Sequence, residues 1–299
     1  MIPGSGHANR GPGGVWHLGD ILREGTLYLA ARKIENPRLD AERLLCKVMR
    51  KRRIDLYLCF DQPVAQAERA EFRNLLTRRA AREPLQYILG ETEFMSLTFR
   101  TPPGVLIPRP ETEILVETVL SQVPVRQEAS ILDIGTGSGC IAVSLAFYLP
   151  RCTIEAVDIS RQALDAAGEN AVLNGVQNRI RLRALDIRSQ ESVPEFEAGF
   201  HCIVSNPPYI TLSEWETLPP EIKNHEPRIA LCDESDGLAL HRAVAGKAYD
   251  WLQAGGMLVL EVGSGQAGPV SEILHQRGYR CIASRMDLAG VERIVHGLR

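Results

Sequence analysis

Short apolar runs alternate with helical stretches from about residue 111 to residue 299, and this alternation limits the possible folds more than any other feature. The predicted strands are residues 130–134, 153–157, 180–184, 202–205 and 257–262. Helices are predicted over residues 111–121, 140–148 and 161–174. This order predicts a doubly wound, mostly parallel sheet that binds ligands at the carboxyl ends of its strands. We expect residues 279–284 and 292–296 to pair as an antiparallel edge.

The first part of the chain has a helical period instead. Its two apolar faces are Leu18, Ile21, Leu22 and Leu29, and then Leu39, Leu44, Leu45 and Val48. Pro37 separates these helices, and Pro63 opens a third that runs to about residue 82. Residues 87–90 and 94–99 are predicted to form a β-hairpin. The predicted organisation is a disordered leader at 1–14, a helical bundle at 15–83, a β-hairpin linker at 84–110 and the sheet domain at 111–299.

Composition excludes several classes of protein. The net charge of −3 argues against nucleic-acid binding driven by overall charge. No apolar run has the roughly 20 residues that span a bilayer, and residues 1–14 lack the apolar core of a signal peptide. The seven cysteines form no C-x-x-C pair, and no histidines have zinc-site spacing. We therefore expect reduced thiols, a cytoplasmic location and no metal.

Asn206, Pro207, Pro208 and Tyr209 directly follow a predicted strand. Two prolines fix the backbone and hold Asn206 extended, so this loop at the strand's carboxyl end is stiff. The Asn206 side-chain oxygen and the Pro207 carbonyl could each accept one hydrogen of a planar NH2 group, while Tyr209 stacks on its plane. We call these four residues the docking motif and expect them to bind such a group.

Asp133 and Ile134 close the first predicted strand, and the loop Gly135, Thr136, Gly137, Ser138 and Gly139 follows them. Glycines allow sharp turns and close approach of a ligand to the main chain. A dinucleotide fingerprint requires G-x-G-x-x-G, but Cys140 occupies the sixth position here. No G-K-[ST] follows, so a Walker loop is also excluded. The loop is expected to hold something other than a polyphosphate.

Acidic residues follow the next two strands. Asp158 lies about 20 residues after the glycine loop, where a carboxylate can accept hydrogen bonds from ribose hydroxyls. Asp186 has the equivalent place after the third strand, and Ile187 beside it could cover an adenine face. Carboxylates repel phosphates and suit a ligand with hydroxyls and positive charge. S-adenosylmethionine has a ribose, an adenine, an ammonium and a sulfonium, and it fits this set.

The chain resembles a known family at this point. The loop at 133–139 is similar to that of the class I S-adenosylmethionine-dependent methyltransferases, which are Rossmann-like. More narrowly, REPLQYILG at 82–90, LIPRPETE at 106–113 and DLAGVER at 287–293 resemble the HemK/PrmC family. Its members are peptide chain release factor N5-glutamine methyltransferases. The resemblance runs from about Val15 to the C-terminus.

The resemblance implies a mostly parallel seven-stranded sheet with an antiparallel edge strand. It implies methyl transfer to the glutamine of the Gly-Gly-Gln motif in release factors. Asn206, Pro207, Pro208 and Tyr209 would bind the glutamine and position its nitrogen. Gly135, Thr136, Gly137, Ser138, Gly139, Asp158, Asp186, Ile187 and Asn206 would hold the cofactor. We expect a monomer, no membrane partner and no general base, with the helical bundle binding the protein substrate. His225 and Glu226 are expected to have a loop-packing or substrate-positioning role.

Two alternatives stay open from the sequence. A nucleic-acid methyltransferase acting on adenine N6 or guanine N2 would meet the same planar NH2 on a flipped base, and the basic residues 50–53 could serve it. A helical adaptor with a relic cofactor fold would bind without turnover. Residues 50–53 are more simply interpreted as a solvated stretch or as a contact for an acidic partner.

Overall fold

The computed structural model describes residues 15–189, 193–196 and 199–299. These residues form two compact units, of which the first ends at Gly90 and the second begins at Glu91. The division falls inside the segment 84–110 that the sequence predicts as a linker. The predicted leader at 1–14 lies outside the described residues.

The first unit is helical, as predicted. Its helices are α1 (Leu18–Ala30), α2 (Pro37–Met49), α3 (Arg53–Leu58), α4 (Gln66–Ala80) and α5 (Leu85–Leu89). Pro37 is the first residue of α2, a position where its missing N–H costs no hydrogen bond. The predicted apolar faces of α1 and α2 form the core with Phe72 and Leu76 of α4. Leu39 is the exception, because 39% of it is exposed.

The predicted hairpin is displaced along the chain. Residues 87–89 belong to helix α5, so their assignment to a strand was wrong. The hairpin lies wholly in the second unit, with strands β1 (Glu91–Phe94) and β2 (Leu97–Arg100). Met95 and Ser96 form its two-residue turn with φ angles of +50° and +57°, as in a type I′ turn.

The second unit is built on a seven-stranded sheet. Its strands are β3 (Ser130–Ile134), β4 (Thr153–Asp158), β5 (Ile180–Ala184), β6 (Phe200–Ser205), β7 (Leu252–Glu261), β8 (Arg280–Met286) and β9 (Glu292–Leu298). They lie in the order β5-β4-β3-β6-β7-β9-β8. The fold class and the strands predicted from apolar runs are confirmed, as is antiparallel pairing of the last two strands. The antiparallel strand, β9, lies second from the edge because β8 is outermost.

Helices cover both faces of this sheet. Those that pack on it are α6 (Glu113–Gln122), α7 (Cys140–Tyr148), α8 (Arg161–Leu173), α11 (Ala239–Trp251) and α12 (Ala267–Gln276). Two short helices, α9 (Leu212–Thr217) and α10 (Pro220–Lys223), lie in the connection between β6 and α11. Alternate strand residues face opposite sides. Ile131 and Val204 pack in the core that includes Leu145 of α7. On the other face, Leu132 and Ile203 pack in the core that includes Val244 of α11.

The strand order reverses direction between β3 and β6. From β3 the chain proceeds outward through β4 to β5, and then returns to place β6 on the other side of β3. Ile134 at the end of β3 is paired with Ser205 at the end of β6. The loops that follow these two strands leave in different directions and open a crevice at this point. The glycine loop and the docking motif are the two loops concerned.

All seven cysteines are free thiols, and Cys281 is exposed. Within the described ranges, no helix is both long enough and apolar enough to cross a membrane. The same part of the chain contains no cluster of three or more His, Cys, Asp or Glu side chains that could hold a metal ion.

Candidate active site

The glycine loop after β3 exposes its backbone. Gly135 and Gly137 have φ angles of +74° and +56°, in the left-handed region. A Cβ atom built on either glycine meets no heavy atom within 4 Å. The amides of Gly135 and Thr136 donate to the Val157 carbonyl at 2.8 and 3.0 Å, which fastens the loop to β4. The loop is therefore held in place while its main chain remains open to a ligand.

The other loop residues support this backbone from below. The Thr136 hydroxyl donates to Asp133 Oδ2 at 2.7 Å, and both residues are buried. Burial raises the pKa of Asp133 to about 7. Ser138 is also buried. A Cβ atom on Gly139 would come within 2.9 Å of the Ala167 Cβ, so the missing side chain lets the loop pack closely against α8.

Asp158, the last residue of β4, faces the glycine loop. Its Oδ2 accepts the Gly137 amide at 2.9 Å, and its Oδ1 accepts the Ser160 amide at 2.8 Å. Burial raises the pKa of this carboxyl, although the two amides act in the opposite direction. Each carboxylate oxygen has a further lone pair. Asp158 could therefore accept hydrogen bonds from ligand hydroxyls.

Asp186 and Ile187 follow β5. Asp186 Oδ1 accepts the Arg188 amide at 2.9 Å and the Arg188 Nε at 3.2 Å. Burial acts to raise the pKa of Asp186, but the hydrogen bonds from Arg188 leave it below its ordinary value. Ile187 is partly buried against the core on the α11 face and offers an apolar surface beside it.

A cavity of about 450 Å³ lies at the carboxyl ends of β3, β4, β5 and β6. This volume is within the range of small-molecule sites. The sequence-predicted residues on its lining are Gly135, Gly137, Asp158, Asp186, Ile187, Asn206, Pro207 and Pro208. Thr136, Ser138, Gly139 and Tyr209 are not on the lining. The cavity thus brings most of the predicted positions together.

Residues that sequence reasoning did not assign to the site also line the cavity, among them 104–106, 227–230 and 232–234. Buried Glu226 links the first two of these segments, because its Oε2 accepts the Ile107 amide at 3.2 Å and its Oε1 accepts Arg109 Nη2 at 2.5 Å. Arg109 and Glu226 are 117 residues apart, so no local pattern marks this ion pair. Only the LIPRPETE motif draws attention to Arg109 in the sequence. Glu226 therefore ties its own loop to the segment that contains Ile107 and Arg109.

The docking motif brings two residues with hydrogen-bond acceptors to the cavity lining, Asn206 and Pro207. Asn206 Nδ2 donates to the Thr112 hydroxyl at 3.2 Å. No described residue donates to Asn206 Oδ1 or to the Pro207 carbonyl, although both residues line the cavity. A ligand NH2 group could supply both missing hydrogen bonds.

Tyr209 is anchored beside the cavity. Its hydroxyl lies 3.5 Å from Glu261 Oε1, and its carbonyl accepts Gln266 Nε2 at 3.0 Å. Burial raises the pKa of the Tyr209 phenol. Burial also raises the pKa of Glu261 to about 7, although the Thr112 hydroxyl and Arg293 act to lower it. The predicted stacking of Tyr209 on a bound plane stays a prediction.

The fold and the site together define a class I S-adenosylmethionine-dependent methyltransferase. Three observations indicate that the residues of the site fit S-adenosylmethionine. The main chain at Gly135 and Gly137 is open. Asp158 keeps free lone pairs beside it. Ile187 adds an apolar side chain to the lining of the same cavity.

Comparisons with known proteins identify the family within this class of methyltransferases. Residues 20–90 match the family described as the PrmC N-terminal domain, and residues 96–217 match the methyltransferase small domain. A release factor glutamine methyltransferase of Geobacter sulfurreducens is 41% identical over 95% of this chain and 97% of its own length. One from Bordetella pertussis is 42% identical over 87% of this chain and 94% of its own length.

A solved methyltransferase from Pyrococcus furiosus has the same fold. It superposes with a TM-score of 0.51 at 18% identity, covering 74% of this chain and 98% of its own. The level and extent of identity to the named relatives decide the family. This chain belongs to the release factor glutamine methyltransferase family.

Proposed function

We propose that the protein transfers a methyl group from S-adenosylmethionine to the side-chain N5 of the glutamine in the Gly-Gly-Gln motif of peptide chain release factors. The observation that carries this proposal is a pair of acceptors on residues that line the cavity, Asn206 Oδ1 and the Pro207 carbonyl, to which no described residue donates. A primary carboxamide carries two N–H groups and matches this pair. The names of the relatives point to the same substrate.

On the cofactor side, some residues are proposed to contact the cofactor directly, and others are proposed to support the loop from beneath. Gly135 and Gly137 offer open backbone to the cofactor, and Asp158 accepts the ribose hydroxyls. Asp186 and Ile187 flank the adenine. Thr136, Ser138 and Gly139 hold the loop in shape, because their side chains or backbone pack beneath it. Asn206 adjoins both the cofactor and the substrate.

The substrate side overcomes the low reactivity of an amide nitrogen, whose lone pair is delocalised into its carbonyl. Asn206 Oδ1 and the Pro207 carbonyl accept both N–H hydrogens and so favour pyramidal geometry at the nitrogen. When bound, S-adenosylmethionine would supply an electrophilic methyl group on a sulfonium, and loss of that group leaves the neutral thioether S-adenosylhomocysteine. Positioning of this kind can lower a barrier by roughly 7–11 kcal/mol. The same oxygens stabilise the positive charge that develops on the nitrogen.

The remaining groups have supporting roles in this proposal. Pro208 keeps the loop stiff, and Tyr209 flanks the glutamine plane while its hydroxyl is anchored near Glu261. The released proton passes to water, so no side chain is assigned as a general base. The N-terminal helical unit recognises the protein substrate, because a lone glutamine offers little surface for selectivity. The protein is proposed to act as a monomer in the cytoplasm.

The nucleic-acid alternative is not favoured. Two of the four basic residues at 50–53 are paired within their own unit. Arg52 Nη2 lies 3.0 Å from Asp55 Oδ1, and Arg53 Nε lies 2.6 Å from Glu42 Oε2. Phosphate binding depends on free positive charge at the surface, and these pairs reduce it.

Mass spectrometry of a release factor co-expressed with this chain tests the proposal. We expect one added methyl group on the Gly-Gly-Gln glutamine, and none when the co-expressed chain carries Asn206→Ala. Purified protein and labelled cofactor should be tested in parallel on release factor, DNA and rRNA. Label in nucleic acid with none in the release factor would contradict the proposed substrate.

A further inference from the structure

The hydrogen bond that orients Asn206 depends on a residue outside the docking motif. An asparagine amide can sit in either of two orientations, with its NH2 or its oxygen toward a given neighbour. Only one of them turns the oxygen toward the cavity. In the structure, the NH2 group faces Thr112 at 3.2 Å. Thr112 is 2% exposed and lies in a short 3₁₀ helix, 94 residues before Asn206.

We infer that Thr112 is a positioning residue, whose buried hydroxyl accepts the Asn206 NH2 group. The Asn206 amide is thereby held with Oδ1 toward the cavity and the substrate. Thr112 itself is absent from the cavity lining, so it acts through Asn206. This inference rests on the proposed function and adds to it the residue that selects the reactive orientation.

Replacing Thr112 with valine tests the inference, because valine keeps the shape and removes the hydroxyl. We expect kcat for release factor methylation to fall roughly tenfold or more, as for loss of a buried hydrogen bond at the reacting group. The Kd for S-adenosylmethionine, measured by calorimetry, should stay within about twofold of the wild type. Thr112→Ser restores the hydroxyl and should recover most of kcat.

Thr118→Val is the matched control. Thr118 is 1% exposed in α6 of the same unit, and its hydroxyl bonds the Ile114 carbonyl and Arg285. The same substitution there should lower the midpoint of thermal unfolding without lowering kcat. If Thr112→Val fails to fold, Thr112→Ala, which introduces no bulk, takes its place with the same expectations.

The outcomes separate the inference from the proposed function. A folded Thr112→Val enzyme with wild-type kcat would overturn the inference alone, as would equal losses in Thr112→Val and Thr112→Ser. A loss of kcat in Thr118→Val as large as that in Thr112→Val would also overturn it. A wild-type protein that does not methylate release factor would overturn the proposed function, and the inference with it.

Discussion

The two sides of the cavity differ in how their polar groups are used. On the cofactor side, at the ends of β3 and β4, Asp158 binds two backbone amides and the glycine loop is fastened to Val157. On the substrate side, at the end of β6, the acceptors of Asn206 and Pro207 have no donor among the described residues. The first arrangement favours a rigid shape, and the second favours one particular incoming group. Binding and reactivity should therefore respond to different substitutions.

Asn206→Ala tests this separation most strongly. It removes one of the two acceptors, and we expect methyl transfer to fall roughly a hundredfold or more while cofactor affinity stays nearly unchanged. Initial rates with labelled cofactor and calorimetry on the same preparation measure both quantities. A variant that keeps more than about a tenth of the wild-type rate, a loss under roughly 1.4 kcal/mol, would contradict the mechanism.

Asp158→Ala should have the opposite pattern. Loss of the carboxylate removes the acceptor proposed for the ribose and frees the Gly137 amide that it holds. We expect the Kd for S-adenosylmethionine to rise about thirtyfold, near 2 kcal/mol, with a smaller effect on kcat at saturating cofactor. Unchanged affinity in calorimetry would remove Asp158 from the site.

Alanine substitutions at two glycines of the loop separate residues that support the cofactor side from residues that are exposed to the cofactor. Alanine at Gly139 would place its Cβ 2.9 Å from Ala167 at a φ of +79°, so we expect a loss of about 2 kcal/mol in the free energy of unfolding. Alanine at Gly137 also takes a positive φ, but its Cβ meets open space. Gly137→Ala should lower cofactor affinity more than stability, as judged by urea unfolding and calorimetry. Equal destabilisation by both would remove the distinction between supporting and exposed glycines.

The smallest expected effect concerns Asp133, whose buried carboxyl has its pKa raised from 3.8 to about 7. Between these values the folded protein keeps a proton that the unfolded chain releases. Stability should therefore fall as pH rises, by about 1 kcal/mol per unit between roughly pH 5 and 6.5. Asp133→Asn should flatten this slope in urea unfolding across that range. Glu261 acts in the same direction, so some slope should persist. Identical slopes for variant and wild type would show that Asp133 is not protonated in the fold.

Much of this arrangement could be predicted because its signals are local. The strands of the sheet are apolar runs bounded by turn residues, and the glycine loop and docking motif directly follow two of them. The error at residues 87–89 has a local cause as well. Tyr87, Ile88 and Leu89 favour strands, but Pro84 precedes a single helical turn and Gly90 ends it in the left-handed conformation.

The parts that could not be predicted depend on residues far apart in the chain. Thr112 and Asn206 are 94 residues apart, and Arg109 and Glu226 are 117 apart. Residues 104–106 belong to the predicted linker, next to Pro102 and Pro103, yet they line the cavity. No spacing or periodicity in the sequence indicates such contacts, because they form only when the folded sheet brings the loops together.

Among the described residues, none donates to Asn206 Oδ1 or to the Pro207 carbonyl, and this also has a consequence for selectivity. A glutamate in place of the substrate glutamine would set carboxylate oxygens against these two acceptors, and its charge would be left without a hydrogen bond. Sites built for an N–H group reject analogues that lack it because buried polar groups are then unpaired. A release factor with Gly-Gly-Glu in place of Gly-Gly-Gln should therefore fail to bind in the site, before any methyl transfer.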